Sequence, residues 1–191
     1  MNFELLARST SEKNVQAAFI KTNSYGKILL LQNPIHPKSA KTLSIKIELD
    51  TSPPFGSAYE TRYLDFPFAF PVTLQDSASL FAGKIHALLC RPYVKGRDWY
   101  DFIWYVARKT PVNLPFVSSS IFQHGPWKGL DINFDLTWLL KELHKKVASI
   151  DWEMAKSDVE RFLPASKLPS LQVWSQAFFD SRIEKVASGF I

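Results

Sequence analysis

Residues 79–102 read SLFAGKIHALLCRPYVKGRDWYDF, two helical patterns divided by one proline. Asp76 or Ser77 can cap the first helix, which is expected to run from about Ser79 to Arg91. Pro92 closes it, and a second helix is expected from about Gly96 to Arg108. Lys84 and Arg91 stand seven residues apart, so they share a face two turns apart. The second helix opens with Lys95, Arg97, Asp98 and Asp101, the two aspartates three apart. Six charged groups are thus interleaved with Tyr93, Trp99, Tyr100 and Trp104. Charges packed among aromatics are usually partnered or functional. The plainer reading is that Asp98 serves the helix start, where the dipole favours a carboxylate.

Outward from this stretch the pattern changes character. Downstream, 135–149, 151–163 and 168–187 carry helical periodicity, the last two parted by the break from Pro164 to Pro169. Trp127, Trp138, Trp152 and Trp174 sit in these apolar patterns and are read as core. Upstream, 3–8 and 15–21 are short apolar runs about a turn-like segment, and 43–50 alternates strictly. Residues 53–71 are rich in proline and aromatic side chains and suggest an extended connector, with a last short strand at 72–74. Strands followed by helices point to the α+β class.

The chain has 191 residues, about one domain's length. Hydrophobic residues make up 46% and charged residues 21%, which excludes disorder and collagen-like repeats. No apolar run approaches the roughly 20 residues of a membrane span, and the first residues do not form a secretion signal. One cysteine, Cys90, fits a reducing cytoplasm, and a cytoplasmic location with no membrane partner is the expectation. The net charge is +5, and residues 81–110 alone carry six basic and two acidic side chains. Such a segment suits a polyphosphate or nucleic-acid ligand, or is simply a solvated basic face. His36, His86, His124 and His144 fall in no metal-binding spacing, and GxGxxG, GxxxxGK and GxSxG are absent.

A second group of candidates lies on the alternating segment. Glu48 and Asp50, two apart on a strand, put both carboxylates on one face, about 6–7 Å apart along the chain. A divalent metal is the usual reason to hold two carboxylates together. Lys46 extends that face. An edge strand turning its polar face to water accounts equally for this composition.

Both groups, in this order and separation, resemble the AbiEii/AbiGii family of nucleotidyltransferase toxins. The resemblance is carried by residues 46–54, KIELDTSPP, by 79–91, SLFAGKIHALLCR, and by 95–102, KGRDWYDF. It implies a nucleotidyltransferase-like mixed sheet, partial here, followed by a helical C-terminal lobe, divided as 1–75 and 76–191. It implies transfer of a nucleotide from an NTP, in some relatives onto tRNA, and silencing by a cognate antitoxin. Mg2+ or Mn2+ and NTP would serve complete relatives, with none held tightly here. Carried over, Glu48 corresponds to a metal-binding acidic position with Asp50 beside it. Lys46, Arg91, Lys95 and Arg97 become candidates for nucleotide or phosphate, and Lys84 and Asp98 for catalysis, with Asp101 secondary.

The family's opening motif, a Gly-Gly or Gly-Ser turn followed by an Asp-x-Asp strand, is not matched. The one glycine before Glu48 is Gly26, and the first aspartate is Asp50. Glu48-Leu-Asp50 is not that motif, because PIHPKSAKT, the segment preceding it, holds no glycine. The expectation is therefore a chain that begins after these motifs and has negligible transferase activity, since phosphoryl transfer depends on metal and positioning. The competing expectation is a non-enzymatic module that binds nucleic acid or an antitoxin through 81–110. A strand edge left where the missing segment would pair suggests a homodimer.

Overall fold

A computed structural model describes residues 4–8, 15–22, 43–66 and 68–188, with side chains described from residue 47 on. The chain divides into two compact units, 1–53 and 54–191. In the first, strands β1 (Glu4–Arg8), β2 (Val15–Thr22) and β3 (Leu43–Asp50) form a sheet in that order. Both pairings are antiparallel, with Glu4 opposite Lys21 and Val15 opposite Asp50. These are the three strands expected from the sequence; Phe3 and the intervening turn lie outside the described residues. Of the mixed sheet implied by the resemblance, antiparallel pairs alone occur among the described residues.

The second unit begins with a hairpin of β4 (Tyr59–Leu64) and β5 (Phe70–Gln75), antiparallel with Tyr59 opposite Gln75. The connector expected over 53–71 thus contains a whole strand. Its alternation was hidden among aromatics, and Pro71 is tolerated because a two-stranded ribbon is all edge. Helices follow: α1 (Ser77–Cys90), α2 (Gly96–Ala107), α3 (Leu114–Gln123), α4 (Leu136–Ala148), α5 (Trp152–Glu160), a 3-10 turn (Ala165–Leu171) and α6 (Gln176–Ser188). Carboxylate and amide caps set their starts: Asp76 accepts from the Ser79 amide, Asn113 from Phe116, and Asp135 from Trp138. Pro169 and the turn after Leu171 split the helix expected over 168–187.

The core joins all of these helices. Phe81 and Ile85 of α1, Trp99 and Phe102 of α2, and Phe179 and Ile183 of α6 are each 0–1% exposed. Trp152 stacks on Phe179 at 4.1 Å between ring centres, and Trp99 and Trp174 meet the same ring edge-on. Of the four expected core tryptophans Trp174 is buried, while Trp127, Trp138 and Trp152 pack partly buried against the core.

A polar node pins the connector to the helices. The fully buried Ser79 hydroxyl accepts from the Ala58 amide at 3.0 Å and the Asn113 side chain at 2.9 Å. Asn113 also donates to the Gly56 carbonyl at 2.8 Å. Gly56 has φ +95° and passes close to the backbone of Pro115 and Phe116, a path that favours glycine. The start of α1 is thereby fixed relative to α3, and α1 carries Lys84 toward the candidate site.

Candidate functional site

The site forms where α1 ends and α2 begins. Arg91 precedes Pro92, which disfavours helical backbone, and accordingly Arg91 is extended at φ −72°, ψ 131°. Four residues on, Gly96 opens α2 against α5: its amide donates to Asp158 Oδ2 at 2.9 Å. A Cβ at Gly96 would collide with the Ala155 carbonyl, so the backbones touch here because the residue is glycine. Asp98 in the first turn does not cap the helix by its side chain; Lys95 occupies the cap position. The Asp98 carboxylate turns inward instead, leaving the residue 4% exposed.

There it meets two cations. Asp98 Oδ1 lies 3.6 Å from Lys84 Nζ, and Oδ2 lies 3.1 Å from Arg91 Nε. The second pair is within ion-pair distance, yet both buried atoms lack an aligned hydrogen bond, so its attraction is Coulombic. Asp101 Oδ2 takes Lys84 from the outer side at 2.7 Å. Arg91 also donates to the Tyr93 hydroxyl at 3.0 Å, and Lys146 donates to the Arg91 carbonyl at 3.3 Å. Burial pulls the Lys84 pKa down, but the hydrogen bond and charge of Asp101, with those of Asp98, outweigh it and raise it. Tyr105, stacked on Phe81, is raised mainly by burial.

Lys84, Asp98 and Asp101 line a cleft of about 330 Å³ together with Lys95 and Arg97. Lys95 and Arg97 have no carboxylate within 4 Å among the described residues, and the Arg97 guanidinium lies 4.2 Å over the Phe162 ring. Chemically the cleft offers two uncompensated cations beside a neutralised, fixed network. This can hold an anionic group such as a phosphate.

The structure thus brings together Lys84, Arg91, Lys95, Arg97, Asp98 and Asp101, the six expected from 84–101. Glu48 and Asp50 stand on β3 in the other unit, exposed, with Asp50 Oδ1 accepting from the Ser52 amide at 2.9 Å. The Lys46 side chain lies outside the described residues. Among the described residues no group of three or more His, Cys, Asp or Glu is gathered as for a metal. Sequence reading missed Asp158, Lys146 and Phe162, which anchor the site from α5, from α4 and from just beyond α5. Asp158 pairs with Arg161 three residues on, so in sequence it resembles an ordinary helix-surface pair.

Two other titratable residues lie nearby. The His86 pKa is lowered by burial, with its Nε2 3.2 Å from the His124 carbonyl. Burial raises the Cys90 thiol to about 11, which makes it unreactive rather than nucleophilic. Among the described residues no helix is long and apolar enough to cross a membrane.

Comparison with known proteins adds one finding. No curated protein and no solved structure matches the chain. A family model, Nucleotidyl transferase AbiEii toxin, Type IV TA system, matches residues 4–179. That span takes in β1 to β3 as well as the whole Lys84–Asp101 cluster. The chain belongs to the AbiEii nucleotidyl transferase toxin family of type IV toxin–antitoxin systems.

Proposed function

We propose that this chain supplies residues of a metal-dependent transfer site that, in relatives carrying the Asp-x-Asp motif, moves a nucleoside monophosphate from an NTP to an RNA such as tRNA. The observation that carries this reading is the 4%-exposed Asp98, held between Lys84 and Arg91 beside a cleft with two uncompensated cations. In transfer the acceptor oxygen bonds to the α-phosphorus and pyrophosphate leaves with the bridging oxygen. Lys84 and Arg97 meet the phosphates, Lys95 and Arg91 support them, and Asp101 anchors Lys84. Asp98 orients the acceptor hydroxyl or takes its proton. Strand-bearing residues 1–75 correspond to the transferase-like lobe and 76–191 to the helical one, although the compact units divide at residue 53.

Among the described residues, Glu48 and Asp50 are the candidates for a divalent metal, two carboxylates rather than a full ligand set. Asp98 and Asp101 already face cations at 2.7–3.6 Å, which is not a cation cage. Glu48 and Asp50 are oxygen donors two apart on a strand and would hold Mg2+ or Mn2+, with Lys46 beside them on that strand face. A metal held there would supply charge neutralisation for phosphate chemistry.

The 191 residues include no Asp-x-Asp strand, so this chain by itself transfers negligible nucleotide. The test is label transfer from α-labelled NTPs to total tRNA with Mg2+ or Mn2+. Background signal is expected; transfer above it that disappears in Asp98→Ala would overturn the inactivity and support the site. Type IV membership implies an antitoxin partner. The second reading, a module that binds nucleic acid or antitoxin through 81–110, is favoured by Lys95 and Arg97 standing without a carboxylate within 4 Å among the described residues.

A further inference from the structure

The basic stretch at 81–110 is not basic everywhere once folded. Lys84 and Arg91 are neutralised by Asp98 and Asp101. Lys109 stands just past the far end of α2 and meets a second helix there. With Arg182 and Lys185 of α6 it lines a cleft of about 650 Å³, together with Ile103, Val106 and Ala107 of α2. None of these three cations has a carboxylate within 4 Å among the described residues. The nearest carboxylates on α6 are turned away: Asp180 lies 2.6 Å from His144 Nδ1 and Glu184 lies 3.3 Å from its Nε2. Helix α6 therefore separates its charges, acids toward α4 and bases toward the end of α2.

Structural duty does not exhaust this positive charge. Both α2 and α6 end at the cleft, and each C-terminus carries about half a negative charge. Two such ends offset about one of the three cations. Lys109 also sits at φ +53°, a left-handed conformation that glycine adopts freely and a lysine does not. Arg182 also lies 4.6 Å over the Phe178 ring, its neighbour one turn back on α6.

We infer that this cleft is a binding seat for single-stranded RNA, with Lys109, Arg182 and Lys185 on the phosphates and a base against the apolar wall from α2. Cations beside an apolar wall suit a strand that carries both phosphates and bases; a free phosphate needs no such wall. The inference rests on the proposed transfer reading only in making the strand the acceptor. Its test contains no NTP and no metal, so the two fail separately.

The measurement is fluorescence anisotropy of a labelled, unstructured RNA titrated with the 191-residue chain across a salt series. Lys109→Ala/Arg182→Ala/Lys185→Ala is expected to weaken binding tenfold or more and to lower the log–log salt slope by about 2, at roughly 0.7 per phosphate contact. Lys95→Ala/Arg97→Ala is expected to weaken it less. Lys109→Gly, which suits the backbone and so preserves folding, should weaken binding severalfold alone. An unchanged affinity and slope in Lys109→Gly and in the folded triple variant would overturn the seat. Inorganic tripolyphosphate binding as tightly as RNA would make it a small-anion site. Polyglutamate competing as well as RNA would make it an acidic-protein surface instead.

Discussion

Lys84 is the residue on which the site's electrostatics turn, because it is shared by two carboxylates of unequal exposure. Its pKa is raised above the ordinary lysine value of 10.5. A group whose pKa is higher folded than unfolded stabilises fully below the unfolded value and loses that stabilisation as pH rises through the folded one. Wild type should therefore exceed Asp101→Asn in unfolding free energy by a constant margin from neutral pH to about pH 10, and the margin should shrink above it. Urea titrations at stepped pH check this; a margin that holds at about pH 12 would mean that Asp101 acts through something other than the Lys84 charge. At this scale the sequence was legible. The six residues between 84 and 101 that spacing singled out do meet, since helix periodicity and Pro92 act locally. Asp98 taught more than its spacing: position in the first turn suggested a cap, but the side chain packs inward because two cations await it there.

Helix α2 depends on one atom that is not there. Gly96 lets α2 start in contact with α5, and a methyl group would strike the Ala155 carbonyl. Gly96→Ala should cost about 1–3 kcal/mol through overpacking. The readout is a lower urea midpoint with unchanged dependence on denaturant; a variant as stable as wild type would show that α5 moves aside freely. Because Asp98 lies two residues from the collision, the same change should disturb its pairing with Arg91. Elements were less legible than residues. Helix α3 was not foreseen: LPFVSSSIFQ is poor in strong helix formers, and its helix depends on the Asn113 cap and on burial of Phe116, Val117 and Ile121. Strand β4 was missed for a related reason, since pairing with β5 rather than its own composition defines it. Both depend on contacts made across the chain, which local pattern does not report.

For the molecule as a whole, the sequence conveyed class and order, strands first and helices after, but not the division after residue 53. That boundary depends on which segments touch, and the β4–β5 hairpin falls with the helices although its composition reads with the strands. One half-buried atom makes the cohesion of the helical unit measurable. The chain has a single sulfhydryl, Cys90, the last residue of α1 and the neighbour of Arg91. With its pKa near 11, about one molecule in a thousand is ionised at pH 8, against about a quarter for an ordinary thiol. A disulfide reagent should react with it at least about tenfold more slowly than with a free thiol, the scarcer thiolate being the more nucleophilic one, and at the ordinary rate above the urea midpoint. Rapid labelling without denaturant would show that the end of α1 loosens independently of the rest. Labelling thus becomes a clock for transient opening, with its one hand fixed a residue away from the charges that define the site.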